Sequence, residues 1–171
     1  MVGSSSMAAT TESQAPAWVE SVFAANERRL GQFLAQMVRD RALAEDLLQD
    51  TFVAALQRAD RLAGADDPAA WLFGIARRKA LESLRRSRRM RRAVERLWDR
   101  RAADIAAPVL AVEFLDLLER SVSPADRSLV ILRYAHDLDA TQLASVTGQS
   151  AAAVRKRLER ARAALSKEYQ R

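Results

Sequence analysis

Residues 139–165 constrain this chain more tightly than any other stretch, because they read as two helices that must meet across one glycine. Asp139 and Gln142 stand at capping-box spacing, with an acceptor side chain three residues before a Gln that can reach back. Leu143 and Val146 supply the buried face of the first helix, and Ala144 is small where two helices cross closely. Gly148 follows where the turn requires a left-handed backbone, which glycine alone adopts without steric penalty. Ser150 is then the N-cap of the second helix. In that helix Val154, Leu158, Ala161 and Leu165 recur at helical spacing and form the core stripe. A rotation of about 100° per residue puts Ala152, Lys156 and Arg160 on the opposite face, flanked by Arg155 and Arg157. Small residues and cations facing outward near a helix N-terminus suit the major groove. There the first turns approach base edges while Arg and Lys meet phosphates. The bland alternative is a helical hairpin with a solvated charged face. Paired caps, a small residue at the crossing and a cationic second helix together favour a helix-turn-helix that binds DNA. Its contact set is Ser150, Ala152, Arg155, Lys156, Arg157 and Arg160.

The rest of the chain reads as helical too. Only five Gly and four Pro occur among 171 residues, too few for a protein of hairpins and tight turns. A first block over residues 17–38 places Val19, Val22, Phe23, Leu30, Phe33, Leu34 and Met37 on one broad stripe. Residues 39–42 break it, and a second block covers 43–59. The cluster Gly64-Ala65-Asp66-Asp67-Pro68 is a loop that ends with Asp67 as N-cap and Pro68 at the first helical position. A third block runs from there to about residue 92. Its neighbours Leu72 and Ile75 make Trp71 a core residue rather than a stacking platform. Weakened spacing after residue 91 suggests a linker with one short helix around Val94–Trp98. A second domain then opens with an apolar helix over 109–119 and restarts at Ser123-Pro124, reaching Tyr134. The fold class is therefore all-α, as two small helical domains joined by a basic linker. The expected division is a disordered segment 1–16, a domain 17–92, a linker 93–108 and a domain 109–171. Met7 is a candidate for the natural start.

Charge is concentrated rather than spread. The chain carries +6 overall, yet residues 77–101 hold twelve Arg or Lys against Glu82, Glu95 and Asp99, a local excess of nine cations. The remainder is slightly acidic. Such a segment favours a polyanion, nucleic acid before an anionic membrane surface. With no Cys and a single His, thiolate metal sites, disulfides and Ser-His or Cys-His catalysis fall away. His136 reads as a plain surface or helix-end residue. No apolar run reaches the roughly 18 residues of a membrane span, so no membrane insertion is expected. No signal-peptide pattern opens the chain, and absent cysteines fit a cytoplasmic location. No catalytic residue, metal or cofactor is expected.

Three stretches resemble one family. Ala44-Glu45-Asp46-Leu47-Leu48-Gln49-Asp50-Thr51-Phe52 is similar to the "AEDLVQETF" helix of extracytoplasmic-function sigma factors of bacterial RNA polymerase. Residues 70–77 (Ala-Trp-Leu-Phe-Gly-Ile-Ala-Arg) are similar to their "WLYTIAR" segment, and residues 154–165 to "VKSRLHRARAAL". The motifs stand in family order and cover about residues 17–168. The resemblance implies a region 2 that docks on the polymerase clamp and captures the −10 element as single strand. It also implies a region 4 that reads the −35 element as duplex and rests on the polymerase flap. Asp46, Gln49, Asp50 and Gln57 project from one side of the second block, opposite Leu48, Phe52 and Ala55, where the family places the clamp contact. Arg78, Glu82, Arg85 and Arg89 share the face where it binds the −10 strand. An anti-sigma factor is an implied partner beside core RNA polymerase and promoter DNA. The chain departs from the pattern at Arg78 and Glu82, where the family often has Asn and Asp, and at Ala152-Ala153 and Arg155-Lys156. The promoter sequence is therefore not inherited.

Two rival readings explain less. A conventional helix-turn-helix repressor or activator would use residues 17–100 for dimerisation or ligand binding, which the cationic run does not suit. An RNA- or membrane-surface adaptor explains that run but leaves the helix-turn-helix and the acidic patch at 45–50 unexplained. An enzyme is the poorest fit, for want of a paired-carboxylate cleft, a Gly-rich phosphate loop or a nucleophile with its base.

Overall fold

The computed structural model describes residues 17–94 and 112–170, among which there are eight helices and no strand. The expected disordered segment and most of the expected linker, with its short helix, lie outside the described residues. Helix α1 (Ala17–Val38) buries Val19, Phe23, Leu30, Phe33, Leu34 and Met37 of the stripe its spacing predicts, and leaves Val22 partly covered. It stops where Arg39 takes a left-handed backbone (φ 56°). Asp40 then caps α2 (Arg41–Leu56), its side chain accepting from the Leu43 N–H at 3.0 Å. The second block thus ends short of residue 59. A separate one-turn helix, α3 (Ala59–Ala63), follows and is pinned by buried Leu62. Asp67 accepts from the Ala70 N–H at 2.8 Å and opens α4 (Pro68–Val94), as expected. Helices α1, α2 and α4 pack against one another, and Phe33 meets Phe73 edge-on at 5.8 Å between ring centres.

The second unit contains α5 (Val112–Ser121), α6 (Pro124–Tyr134), α7 (Ala140–Thr147) and α8 (Ala151–Tyr169). Ser123 caps α6, Asp139 and Gln142 form the predicted capping box on α7, and Ser150 caps α8. Gly148 closes α7 in the left-handed region at φ 69°, and its N–H donates to the Ala144 carbonyl at 2.8 Å. Val154, Leu158 and Ala161 are buried, while Leu165 is only partly covered.

The two units do not stand apart; a single apolar core runs from one into the other. α7 lies across α4 so closely that a Cβ on Gly74 would come 3.4 Å from the Val146 carbonyl oxygen. α1 and α4 also pack against α6. The seam between the units is polar as well as apolar. Gln36, Arg77, Arg127, Ser128 and His136 are all buried there. Arg127 donates to the Met37 carbonyl at 2.9 Å, and Arg29 donates to the His136 carbonyl at 2.6 Å. At the rim Arg39 pairs with Asp116 and lies 3.6 Å from Glu119.

His136 corrects a sequence expectation. It does follow a helix, but it is 3 % exposed, not a surface residue. Its Nε2 sits 3.2 Å from the Gln36 side-chain oxygen, and its ring packs against Phe33 and Phe73. Burial, with the nearby Arg29 guanidinium adding to it and Asp137 opposing, pushes its pKa down to about 4. The ring is neutral at pH 7.

Candidate nucleic-acid interface

Helix α8 carries the first candidate surface. With Val154, Leu158 and Ala161 turned inward, Ser150, Ala152, Arg155, Lys156 and Arg160 are all exposed on one side. Ser150 accepts from the Ala153 N–H at 3.2 Å, so its acceptor serves the cap. Arg157 departs from the set. Its guanidinium turns back to α6, with Nε and Nη2 donating to one Asp126 oxygen at 2.8 and 2.7 Å, and Nη1 reaches Gln149 at 3.2 Å. Asp126 in turn accepts from the Ser123 hydroxyl at 2.6 Å. In this conformation Arg157 braces α8 against α6 rather than offering its charge to DNA.

Helix α4 carries the second surface. Arg78, Glu82, Arg85 and Arg89 are exposed, and with Leu81 and Arg88 they line an open groove of about 730 Å³. At its head Arg77 is 9 % exposed and donates from Nε to the Ser128 hydroxyl at 2.8 Å. Burial, with the Arg157 guanidinium adding to it and Asp126 opposing, depresses the Arg77 pKa to about 10. Arg77 stays cationic at neutral pH. Trp71 is half-buried against the core, in keeping with its reading as a packing residue.

A third surface lies on α2, where Asp46, Gln49, Asp50 and Gln57 are all exposed. The inward side differs from the expected one. Ala44, Leu47, Thr51, Ala54 and Ala55 form the deep stripe, while Leu48 and Phe52 pack at its flank. Asp50 approaches Lys79 of α4 at 3.7 Å. The sequence reading missed Val53, half exposed amid this acidic row. It stands four residues from both Gln49 and Gln57, and the i,i+4 rule alone could have found it. Finally, Phe114, Val130, Tyr134, Ala163 and Leu165, together with Glu159, Arg162 and Ser166, line an open, mainly apolar groove of about 740 Å³ between α5, α6 and α8. Among the described residues no cluster of side chains could hold a metal ion, and no helix is long and apolar enough to cross a membrane.

Residues 22–90 match the family described as sigma-70 region 2, and residues 115–165 match sigma-70 region 4. The RNA polymerase sigma factor CarQ of Myxococcus xanthus is 32% identical over 145 residues, spanning 82% of this chain and 83% of CarQ. The chain belongs to the sigma-70 family of sigma factors, of the extracytoplasmic-function type. Two solved structures share the fold of this sigma factor. The sigma factor RpoE of Bartonella quintana, in complex with the anti-sigma factor NepR, aligns with a TM-score of 0.72 at 23% identity, over 88% of this chain and 96% of RpoE. CnrH, in complex with the cytosolic domain of CnrY, aligns at 0.64 and 25% identity, over 92% of this chain and 91% of CnrH. Both regions expected from the motifs are thus present in this sigma factor, in the expected order.

Proposed function

We propose that three surfaces of this sigma factor divide the work of promoter specification. The α2 row of Asp46, Gln49, Asp50 and Gln57, centred on Val53, docks on the clamp of core RNA polymerase. The groove along Arg78, Glu82, Arg85 and Arg89 holds the separated −10 strand by phosphate contacts. The exposed side of α8, with Ser150, Ala152, Arg155, Lys156 and Arg160, reads the −35 element as duplex. Arg157 joins that set only by giving up Asp126. The apolar groove beside Tyr134 seats the polymerase flap. Region 2 occupies residues 17–92 and region 4 residues 109–171, with 93–108 setting the distance between them. The protein works in the cytoplasm as a specificity subunit, and the polymerase supplies the catalysis. An anti-sigma factor covers these faces when transcription is unwanted, a reading supported by the RpoE–NepR likeness.

The observation that carries this reading is an acidic row with an exposed Val53 beside two separate cationic surfaces on one chain. A DNA-binding repressor needs only one of the three. The test is transcription in vitro on a fragmented genomic library, using bacterial core RNA polymerase with and without the protein. New, protein-dependent start sites are expected. Absence of initiation, together with tight sequence-specific DNA binding by the protein alone, would establish a conventional regulator instead.

A further inference from the structure

Phosphate binding does not call for the carboxylate that stands in the α4 groove. Glu82 is exposed in the middle of the cationic stripe, with Arg78 one turn before it and Arg85 and Arg89 one and two turns beyond. At 1.5 Å of rise per residue, these guanidiniums leave the helix about 6 Å to one side of Glu82 and about 4.5 and 10 Å to the other. A negative charge among them repels phosphate and weakens the hold on every strand alike.

The helix does not use this carboxylate either. Glu82 has Arg78 and Arg86 four residues away on either side, the spacing of a helical ion pair. On α2 that spacing is used, and Arg41 meets Glu45 at 3.0 Å. Among the described residues, no ion pair or hydrogen bond engages the Glu82 side chain. Its two oxygens face an open groove of about 730 Å³, within the size range of ligand sites.

We propose that Glu82 is a base-reading residue, and that it selects guanine at one position of the separated −10 strand. The proposal rests on the reading of the α4 groove as the −10 site. An ionised carboxylate accepts at two oxygens and donates nothing. On an unpaired base, the Watson–Crick edge is open to it. Guanine alone presents two donors side by side on that edge, its N1–H and its N2 amine, and so engages both oxygens at once. Cytosine and adenine each offer one amine beside a ring nitrogen whose lone pair opposes the second oxygen. Thymine sets its one N–H between two carbonyls. The groove supplies the rest of a base site. Leu81 is only 8 % exposed and gives the base an apolar surface to lie on. Arg78 and Arg85 bracket that position, where they hold the phosphates on either side. The cations thus provide strength without sequence, and Glu82 provides sequence at some loss of strength.

Altered selectivity tests this. Transcription is measured with the protein bound to a core polymerase, on variants of one promoter found in the library experiment. Each −10 position carries each of the four bases in turn, within a mismatched bubble so that pairing strength does not enter. The unmodified protein should favour guanine at least about tenfold over every other base at one position. Glu82→Ala should reduce that preference to less than about threefold and leave the other positions as they were. Glu82→Gln should move it to adenine, because an amide offers the acceptor and donor that match the adenine amine and its neighbouring ring nitrogen. Both variants keep the core intact, since position 82 is exposed. A carboxylate that only tunes charge would change every template by one common factor, and that result would overturn the proposal. Loss of a cytosine preference in place of a guanine preference would overturn it too. Identical base preferences in all three proteins would remove Glu82 and leave the sigma-factor reading standing. Failure of the unmodified protein to initiate with every core polymerase tried would bring down that reading and this proposal with it.

Discussion

Acidification between pH 7.5 and 5.0 should destabilise this protein through a single residue. His136 is the chain's one histidine, so no other imidazole titrates in that window. Its folded pKa is about 4, against about 6.5 in an unfolded chain. The unfolded state therefore binds more protons between those two values, and stability rises with pH across the window and falls as pH drops through it. At pH 7.5 both states are neutral and the contribution is complete. By pH 5.0 the loss is about 2 kcal/mol, growing to about 3 kcal/mol near pH 4. For a chain of this length about 2 kcal/mol corresponds to roughly 4–8 °C in Tm. Helical circular dichroism followed through urea or thermal unfolding at pH 7.5, 6.5, 5.8 and 5.0 reads it directly. His136→Phe supplies the control, since a phenyl ring can lie against Phe33 and Phe73 without titrating. Whatever its own stability, its curve should be flat over this range. A flat wild-type curve would refute the burial assigned to the imidazole. A slope that survives in the Phe variant would place its source elsewhere.

Three further outcomes follow from the surfaces. Lys156→Ala with Arg160→Ala should weaken duplex binding and reduce the slope of log affinity against log salt by about 2, measured by anisotropy across a salt series. An unchanged slope removes both from the DNA face. Val53→Asp, or Asp46→Lys with Asp50→Lys, should lower core-polymerase affinity at least about tenfold while leaving Tm within about 2 °C, because all three residues are exposed. Full retention of binding would move the clamp contact off α2. Gly148→Ala should cost about 1 kcal/mol, seen as a Tm drop of roughly 2–4 °C, because nothing lies within 4 Å of the added Cβ and only the left-handed backbone resists it. A much larger loss would mean that the turn is packed.

The elements legible in the sequence are those fixed by neighbours a few residues away. The α1 stripe, the Asp67 cap, the restart at Ser123-Pro124, the Asp139–Gln142 box, Gly148 and Ser150 each involve partners no more than four residues apart, and each stands where its local pattern puts it. Helix α3 escaped because five residues are too few to show a period. The seam escaped for a different reason. Arg29 meets His136 across 107 positions and Arg127 meets Met37 across 90, so no window of sequence contains both partners. The family motifs gave the two regions but not their packing. That is why an isolated histidine after a helix read as a surface residue. Arg157 shows the same limit on a smaller scale. Helical rotation places it beside the DNA face, and the pairing with Asp126, 31 residues away, turns it inward.

One side chain on α7 has a consequence for how such chains diversify. The Gln142 oxygen accepts from the Asp139 N–H, while its amide nitrogen donates to Asp67 at 2.7 Å, and Asp67 also caps α4. A glutamate would complete the Asp139 box equally well, but it would set a second carboxylate against Asp67. The amide alone can satisfy both neighbours, so positions 67 and 142 form a two-letter code spanning the two regions. An Asp-to-Gln pairing is compatible with packed units, whereas Asp facing Glu would push them apart. Sister chains that differ at these two letters should therefore differ in whether their halves can rest together, even where every promoter-reading residue is the same.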